Sequence, residues 1–412
     1  MNCEIICIGT ELLTGDTLNT NSQYIARELS KNGFSVHFQT TLGDNPGRLK
    51  DVFEAAVKRS DVVVVTGGLG PTQDDLTKET VAAFFGMSMQ RDEAQVRKMK
   101  QHFDRRNYVM TDNNFRQCDI PVGAKAINNT QGTAPGIHIE KNGISVFLLP
   151  GPPSEMKAMF DLYVMSNLKN RTSQLVISRY FNICDFGESM VEKMILDLVN
   201  HQTNPTIATY AKPGEVLVRI TANGTDAAAI NGLLDKYSKE MDRRFGRHIF
   251  AHAQKTLAET VGDLLLKKHR TMATAESCTG GLIASQMTAI PGISEAFKMG
   301  VVTYSNEAKM RLLDVQKKTL DEVGTVSEKT AREMCEHLAT LSECDVNVSV
   351  TGIAGPDGGS AEKPVGLVYV GVHADGRTRI EKCKFAGSRQ TIQKRSANKA
   401  LCMVREAILN LQ

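Results

Sequence analysis

Along residues 1–165, short apolar runs alternate with segments whose apolar residues recur every three or four positions. "EIICIGTEL" predicts a strand, "NTNSQYIARELSKNG" a helix stopped by Gly33, "SVHFQTTLGD" a second strand and "PGRLKDVFEAAVKRS" a second helix. "DVVVVTGG" has no polar interruption, as a strand buried on both faces requires. "SVFLLPGPPSEMKAMF" predicts a late strand, a Pro-rich turn and a helix with Ser154 as its cap. This βαβ rhythm implies a parallel sheet with helices on both faces.

The pattern changes over residues 170–250. "SQLVISRYFNI", "TIATYAK" and "GEVLVRITA" are β-like, and "FGESMVEKMILDLVNH" and "AAAINGLLDKYSKEMDRRF" are helical. Residues 255–412 return to an α/β order that ends in a helix from about 388. The predicted fold is α/β. A parallel-sheet domain covers 1–168, a small α+β module 169–252 and an α/β domain 253–412.

Composition narrows the function classes. A chain of 412 residues suits two or three domains, and 41% hydrophobic with 23% charged residues is ordinary for a soluble protein. The net charge of +3 gives no reason to expect nucleic acid as the main partner. No apolar run is long enough to cross a membrane, and "MNCEIICIGTELL" does not read as a signal peptide. Nine cysteines are scattered without a C-x-x-C pair. That pattern suggests neither a disulfide framework nor a cysteine zinc site, and a reducing cytoplasm is the expected location.

Candidate chemistry in the first domain lies where strands run into loops. "VVVVTGGLGPTQDD" places Gly67, Gly68 and Gly70 after a buried strand, followed by Asp74 and Asp75. In an open parallel sheet, ligands bind off the carboxyl ends of the strands, and glycines let backbone N–H groups approach a phosphate. Two carboxylates suit a hard divalent cation such as Mg²⁺. The alternative is a turn and helix cap in which Thr72 and Asp75 form a capping box. "GTELLTGDTLNTN" puts Thr10, Glu11, Gly15, Asp16 and Asn19 on the same rim, and "NNTQGTAPG" supplies a third loop.

The pattern G-T-E-L-L-x-G-x-x-x-N-T-N, with "TGGLGPTQDD", "GTAPG" and "LPGPPSEM", resembles the CinA family along the whole chain. The first domain is similar to molybdopterin-binding proteins of the MogA/MoaB type. The resemblance implies an ADP-ribose pyrophosphatase in the first domain, and the carboxylate pair beside a pyrophosphate makes a requirement for Mg²⁺, Mn²⁺ or Co²⁺ the expectation. In the last it implies a nicotinamide mononucleotide amidohydrolase, for which no cofactor is expected. A competing reading is a first domain that binds a pterin or nucleotide without cleaving it, because fold does not fix function. The middle module resembles a KH domain but has no G-x-x-G loop in 187–222, so a spacer or dimer contact fits better than RNA binding. The expected partners are small-molecule nucleotides and a second copy of the chain.

In the last domain, "ATAESCTGG" reads as a strand that turns into a helix at Ser277. No histidine there stands in a triad motif, so a serine nucleophile needs another base. "GVVTYSNEAKMRLL" supplies Tyr304 and Lys309; a buried lysine of lowered pKa can accept the serine proton, with Tyr304 relaying or stabilising it. Both segments resemble the Ser and Tyr/Lys motifs of the family's deamidases. Thr279, Gly280 and Gly281 open the following helix, whose N–H groups suit an oxyanion. Thr351, Gly352 and Gly355 of "VTGIAGPDGG" suit a substrate phosphate or amide, and Arg389 or Arg395 a phosphate clamp. The plainer readings are an N-cap at Ser277 and solvated arginines. Cys278 is the rival nucleophile.

Overall fold

The computed structural model describes residues 1–411. The chain divides into two compact units, Met1–Ile177 with Asn223–Ile230, and Ser178–Ala222 with the chain from Asn231 onward.

The first unit holds a six-stranded sheet in the order Ser35–Leu42, Asn2–Ile8, Val62–Thr66, Ile144–Leu149, Gly136–Lys141, Lys125–Ile127. The first four strands are parallel. Alternating residues of "VVVVT" explain why that strand has no polar side. Val62 and Val64 enter one core with Ile25 and Leu29, while Val63 and Val65 enter the other with Leu49 and Phe53. Helices therefore cover both faces, as the βαβ rhythm implied.

The sheet is not wholly parallel. Gly136–Lys141 and Ile144–Leu149 form an antiparallel hairpin, and Lys125–Ile127 adds antiparallel at the edge. The hairpin turns on Asn142-Gly143, both left-handed at φ 55° and 79°, the two-residue turn that matches strand twist. Ser154 does not cap the helix Pro153–Met159; it lies inside the first turn, and Pro152 holds the cap position.

The second unit is built on two sheets. One has the order Thr206–Lys212, Glu215–Gly224, Leu175–Cys184, Ile249–Ala251. The other runs Phe297–Val302, Met272–Glu276, Val346–Gly352, Leu367–Ala374, Arg377–Lys384. In this second sheet the first three strands are parallel and the last two antiparallel. Its largest core joins Val261 and Leu265 of the helix Leu257–Lys268, Val348 and Val350 of the sheet, and Leu401 of the helix Arg389–Asn410. Among the described residues, no helix is long and apolar enough to cross a membrane.

Candidate active site

Ser277 lies just beyond the strand Met272–Glu276, and its N–H donates to Val350 O of the neighbouring strand at 2.9 Å. The residue is 6% exposed. Its hydroxyl does not cap a helix. The helix Leu282–Thr288 begins later, with Gly281 at its cap position. Ser277 Oγ instead accepts a hydrogen bond from Lys309 Nζ at 3.0 Å.

Lys309 is fully buried in the helix Asn306–Leu313, which Ser305 caps through a bond from Ala308 N. Its ammonium also donates to Thr303 O at 2.7 Å. Among the described residues no carboxylate is hydrogen-bonded to it, and burial pulls its pKa down to about 8. Cys278, by contrast, is a buried thiol pushed up to about 12 by desolvation. A thiol that keeps its proton at neutral pH is a poor nucleophile.

The oxyanion donors differ from those expected at the Gly280-Gly281 helix start. Glu276, 1% exposed, takes the N–H groups of Gly281, Ile283 and Ala284 on its two carboxylate oxygens, at 3.1, 3.1 and 2.8 Å. Those groups are spent on fixing the turn. Gly280 N donates to Ser277 O. Among the described residues, the N–H groups of Cys278 and Thr279 are not taken by a backbone carbonyl, and Thr279 Oγ1 is buried and unpaired. They follow the nucleophile directly, as oxyanion donors do at other serine corners. Glu276 was legible as an acid ending an apolar strand, but not in its role. Gln393, which donates to Cys278 O at 2.9 Å from the last helix, carried no sequence signal.

Tyr304 is placed differently from a proton relay. Only its carbonyl faces Lys309, at 3.5 Å from Nζ. The residue is 60% exposed, and its hydroxyl accepts from Arg389 at 2.8 Å. Arg389 also donates to Gly355 O at 2.8 Å, which ties the last helix to the glycine loop and directs a cation to this rim. Arg395 donates to Ala386 O and lines a separate cavity with Lys399 and Phe385. Thr351 is fully buried and its hydroxyl donates to Thr325 O, so it serves the loop rather than a ligand. Gly352 is required by packing, since a Cβ there would stand 2.6 Å from Val368.

In the first unit, a cavity of about 350 Å³ opens at the strand ends, lined by Glu11, Gly67, Gly68, Asp75 and Glu155 among others. Gly67 and Gly68 have φ of 103° and 66°, and a Cβ would meet Ile8 O at 2.0 Å and Thr77 Oγ1 at 2.1 Å. Thr77 pins this loop by donating to Gly67 O. Thr10 donates to Asp44 from both its N–H and its hydroxyl, bringing another carboxylate to the rim. Asn19 caps the helix Thr20–Lys31 and bonds Thr41, outside the cavity lining. The Asp pair is split. Asp75 lines the cavity, its Oδ2 held by Thr72 N and Oγ1, while Asp74 is exposed outside it.

The oxygen donors Glu11, Asp44, Asp75 and Glu155 suit a hard divalent cation. Among the described residues, no three of these carboxylates converge on one point. A cation there would rest on one or two of them and on ligand phosphates, which is the usual magnesium arrangement.

Three family profiles match the chain in order. They are the probable molybdopterin binding domain over 4–170, the damage-inducible protein CinA KH domain over 178–251 and the CinA C-terminal domain over 254–408. A CinA-like protein of Dictyoglomus thermophilum is 44% identical over 411 residues, covering 100% of both chains. The chain belongs to the CinA family. Another CinA-like protein, from Kosmotoga olearia, is likewise 44% identical over 411 residues and 100% of both chains. The crystal structure of the competence damage-inducible protein A from Klebsiella pneumoniae matches with 33% identity and a TM-score of 0.37, over 38% of this chain and 97% of that one.

Proposed function

We propose that this CinA-family chain is a bifunctional hydrolase of pyridine-nucleotide recycling. Its C-terminal domain is read as a serine amidohydrolase that converts nicotinamide mononucleotide to nicotinate mononucleotide and ammonia. The observation that carries this reading is Lys309 Nζ, buried, 3.0 Å from Ser277 Oγ. In its neutral form Lys309 takes the hydroxyl proton as Ser277 Oγ attacks the amide carbon. The N–H groups of Cys278 and Thr279 receive the developing oxyanion. Protonated Lys309 gives its proton to the departing ammonia, and water then hydrolyses the acyl-serine with Lys309 again as base. Arg389 offers a cation for the nucleotide phosphate. The choice of substrate rests on the family resemblance of "AESCTGG" and "GVVTYSNEAK".

The N-terminal domain is read as a metal-dependent ADP-ribose pyrophosphatase. Gly67 N–H is spent on Leu149 O, so the backbone N–H groups of the Gly68-Leu69-Gly70 loop would hold a pyrophosphate, and Asp75 with Glu11 or Asp44 would hold Mg²⁺, Mn²⁺ or Co²⁺. That ion would offset the repulsion between carboxylates and phosphates. The second reading, a pterin- or nucleotide-binding domain without cleavage, is supported by the match of residues 4–170 to the probable molybdopterin binding domain. Incubating the purified protein with nicotinamide mononucleotide and with ADP-ribose, with and without divalent metal, and identifying the products tests both readings. Ammonia release without metal supports the amidase. AMP release only with metal supports the pyrophosphatase, and its failure under every metal leaves the binding reading.

A further inference from the structure

Cysteines that lie far apart in the sequence meet in the second unit. Cys184 ends the strand Leu175–Cys184, and Cys402 lies in the helix Arg389–Asn410; they are 2% and 3% exposed. The Sγ atoms of Cys184 and Cys402 and a carboxylate oxygen of Asp185 all lie within 4.8 Å of one another. His248 adds a ring nitrogen beside Asp185. Its Nδ1 is buried without a hydrogen-bond partner and stands 3.6 Å from Asp185 Oδ2. An unpaired buried nitrogen is a cost that a ligand would remove.

We propose that Cys184, Cys402 and Asp185, with His248 as the fourth donor, bind a divalent ion of the zinc class. Two thiolates with an imidazole and a carboxylate are a borderline-soft donor set, which zinc favours over magnesium or calcium. The spacing fits for Cys184, Cys402 and Asp185; the His248 ring stands beside Asp185 and has to swing toward the sulfurs to complete the set. A tetrahedral ion with bonds of about 2.3 Å to sulfur and about 2.0 Å to nitrogen or oxygen holds its ligand atoms roughly 3.3–3.8 Å apart. Cys184 Sγ lies 3.8 Å from Asp185 Oδ2, and His248 Nδ1 lies 3.6 Å from the same oxygen.

The surroundings supply what a metal site needs beyond its ligands. Lys399 donates to Asp185 Oδ1 at 2.9 Å and pairs with Glu381 at 2.8 Å. It thereby orients the carboxylate and leaves Oδ2 toward the sulfur and the imidazole. A cavity of about 490 Å³, lined by Asp185 and Cys402, gives an entry path. An ion here would tie the end of the strand Leu175–Cys184 and the turn at His248 to the last helix. It would be separate from any cation of the N-terminal domain, and the Ser277 chemistry would not use it.

The test is cobalt substitution of the full chain after chelator treatment under reducing conditions. One equivalent of Co²⁺ per chain should produce a thiolate-to-cobalt charge-transfer band and the intense visible bands of a tetrahedral site. Zinc should displace them stoichiometrically. Cys184→Ser and Cys402→Ser should each weaken binding at least 100-fold, while Cys344→Ser should bind normally. Because replacing a buried cysteine also disturbs packing, Asp185→Asn provides a partly exposed substitution, expected to weaken binding at least tenfold with an unchanged circular dichroism spectrum. Absence of the charge-transfer band, or a band that persists with both cysteines replaced, would overturn the proposal. So would a Cys184–Cys402 cross-link in the protein as isolated, which would assign the pair to disulfide chemistry.

Discussion

Lys309 Nζ meets Ser277 Oγ at 3.0 Å, with the lysine fully buried and the serine 6% exposed. A charged lysine in such a place needs a reason, because desolvation disfavours the ammonium and, among the described residues, no carboxylate is hydrogen-bonded to it. A base that must be neutral part of the time supplies the reason. Loss of the nucleophile should remove the reaction. Ser277→Ala is expected to lower turnover of nicotinamide mononucleotide by several powers of ten. Cys278→Ala should retain most activity, since its thiol is held protonated. Ammonia release measured for the two variants decides the assignment, and the opposite ranking would make Cys278 the nucleophile.

The lysine also sets a pH dependence. With a pKa near 8, the fraction of neutral Lys309 rises as pH increases, so kcat/KM should climb through about pH 8 and level off above it. Stability should follow the same direction for a related reason. The folded-state pKa lies below the ordinary 10.5, so between about 8 and 10.5 the unfolded chain binds more protons and stability rises with pH. Below that window the native state carries the full cost of burying the charge. Lys309→Met removes that cost but leaves Thr303 O without its donor. We expect an inactive variant that is more stable by about 1–2 kcal/mol at pH 7, the gain shrinking toward pH 10. Chemical denaturation at pH 7 and pH 10 measures both.

Arg389 and Tyr304 are expected to act on substrate holding. The phenol hydroxyl accepts from the guanidinium at 2.8 Å and has no contact with Lys309 Nζ, so Tyr304→Phe should change KM more than kcat. Losing one neutral acceptor to a charged donor costs about 1–2 kcal/mol, or roughly five- to thirtyfold in KM. Arg389→Ala should raise KM at least as much, while Arg395→Ala, on a different cavity, should be near neutral. A Tyr304→Phe variant with normal KM and a collapsed kcat would restore the phenol to proton transfer.

The parts of this arrangement that are local in sequence were readable there. The unbroken "VVVVT" run announced a doubly covered strand, and the spacing of Tyr304, Ser305 and Lys309 put a lysine one turn into a capped helix at a strand end. Long-range pairings were not readable. Nothing in "AESCTGG" tells that Glu276 takes three N–H groups, because that depends on where the chain folds back after Gly280 and Gly281. Arg389 and Arg395 looked equivalent in sequence. Their separation depends on the direction of the last helix and on Gly355 presenting its carbonyl to only one of them. The Asn142-Gly143 hairpin carried a visible signal, and the helix–strand rhythm hid it by suggesting a wholly parallel sheet.

The N-terminal cavity gives a prediction that keeps binding and cleavage apart. Gly68 stands with φ 66° against Thr77, and an added Cβ would lie 2.1 Å from the Thr77 hydroxyl that holds Gly67 O. Gly68→Ala must therefore shift the loop that lines the cavity, and affinity for ADP-ribose should fall at least tenfold with or without metal. Asp75→Asn is different. It keeps the acceptor that Thr72 N and Oγ1 use but removes a negative charge from the cavity. If the domain is a metal-dependent pyrophosphatase, this variant should lose metal-stimulated AMP release while binding ADP-ribose without metal more tightly, since one repulsive charge is gone. Asp74→Asn, on an exposed side chain outside the lining, should behave as the parent chain. Calorimetry with and without Mn²⁺, together with product analysis, reads all three variants. Equal loss of cleavage in the Asp74 and Asp75 variants would place the cation on the pair rather than in the cavity. Tight metal-independent binding without AMP release in the parent chain would make the domain a binding module. In either case ammonia release at Ser277, in the other compact unit, should be unchanged.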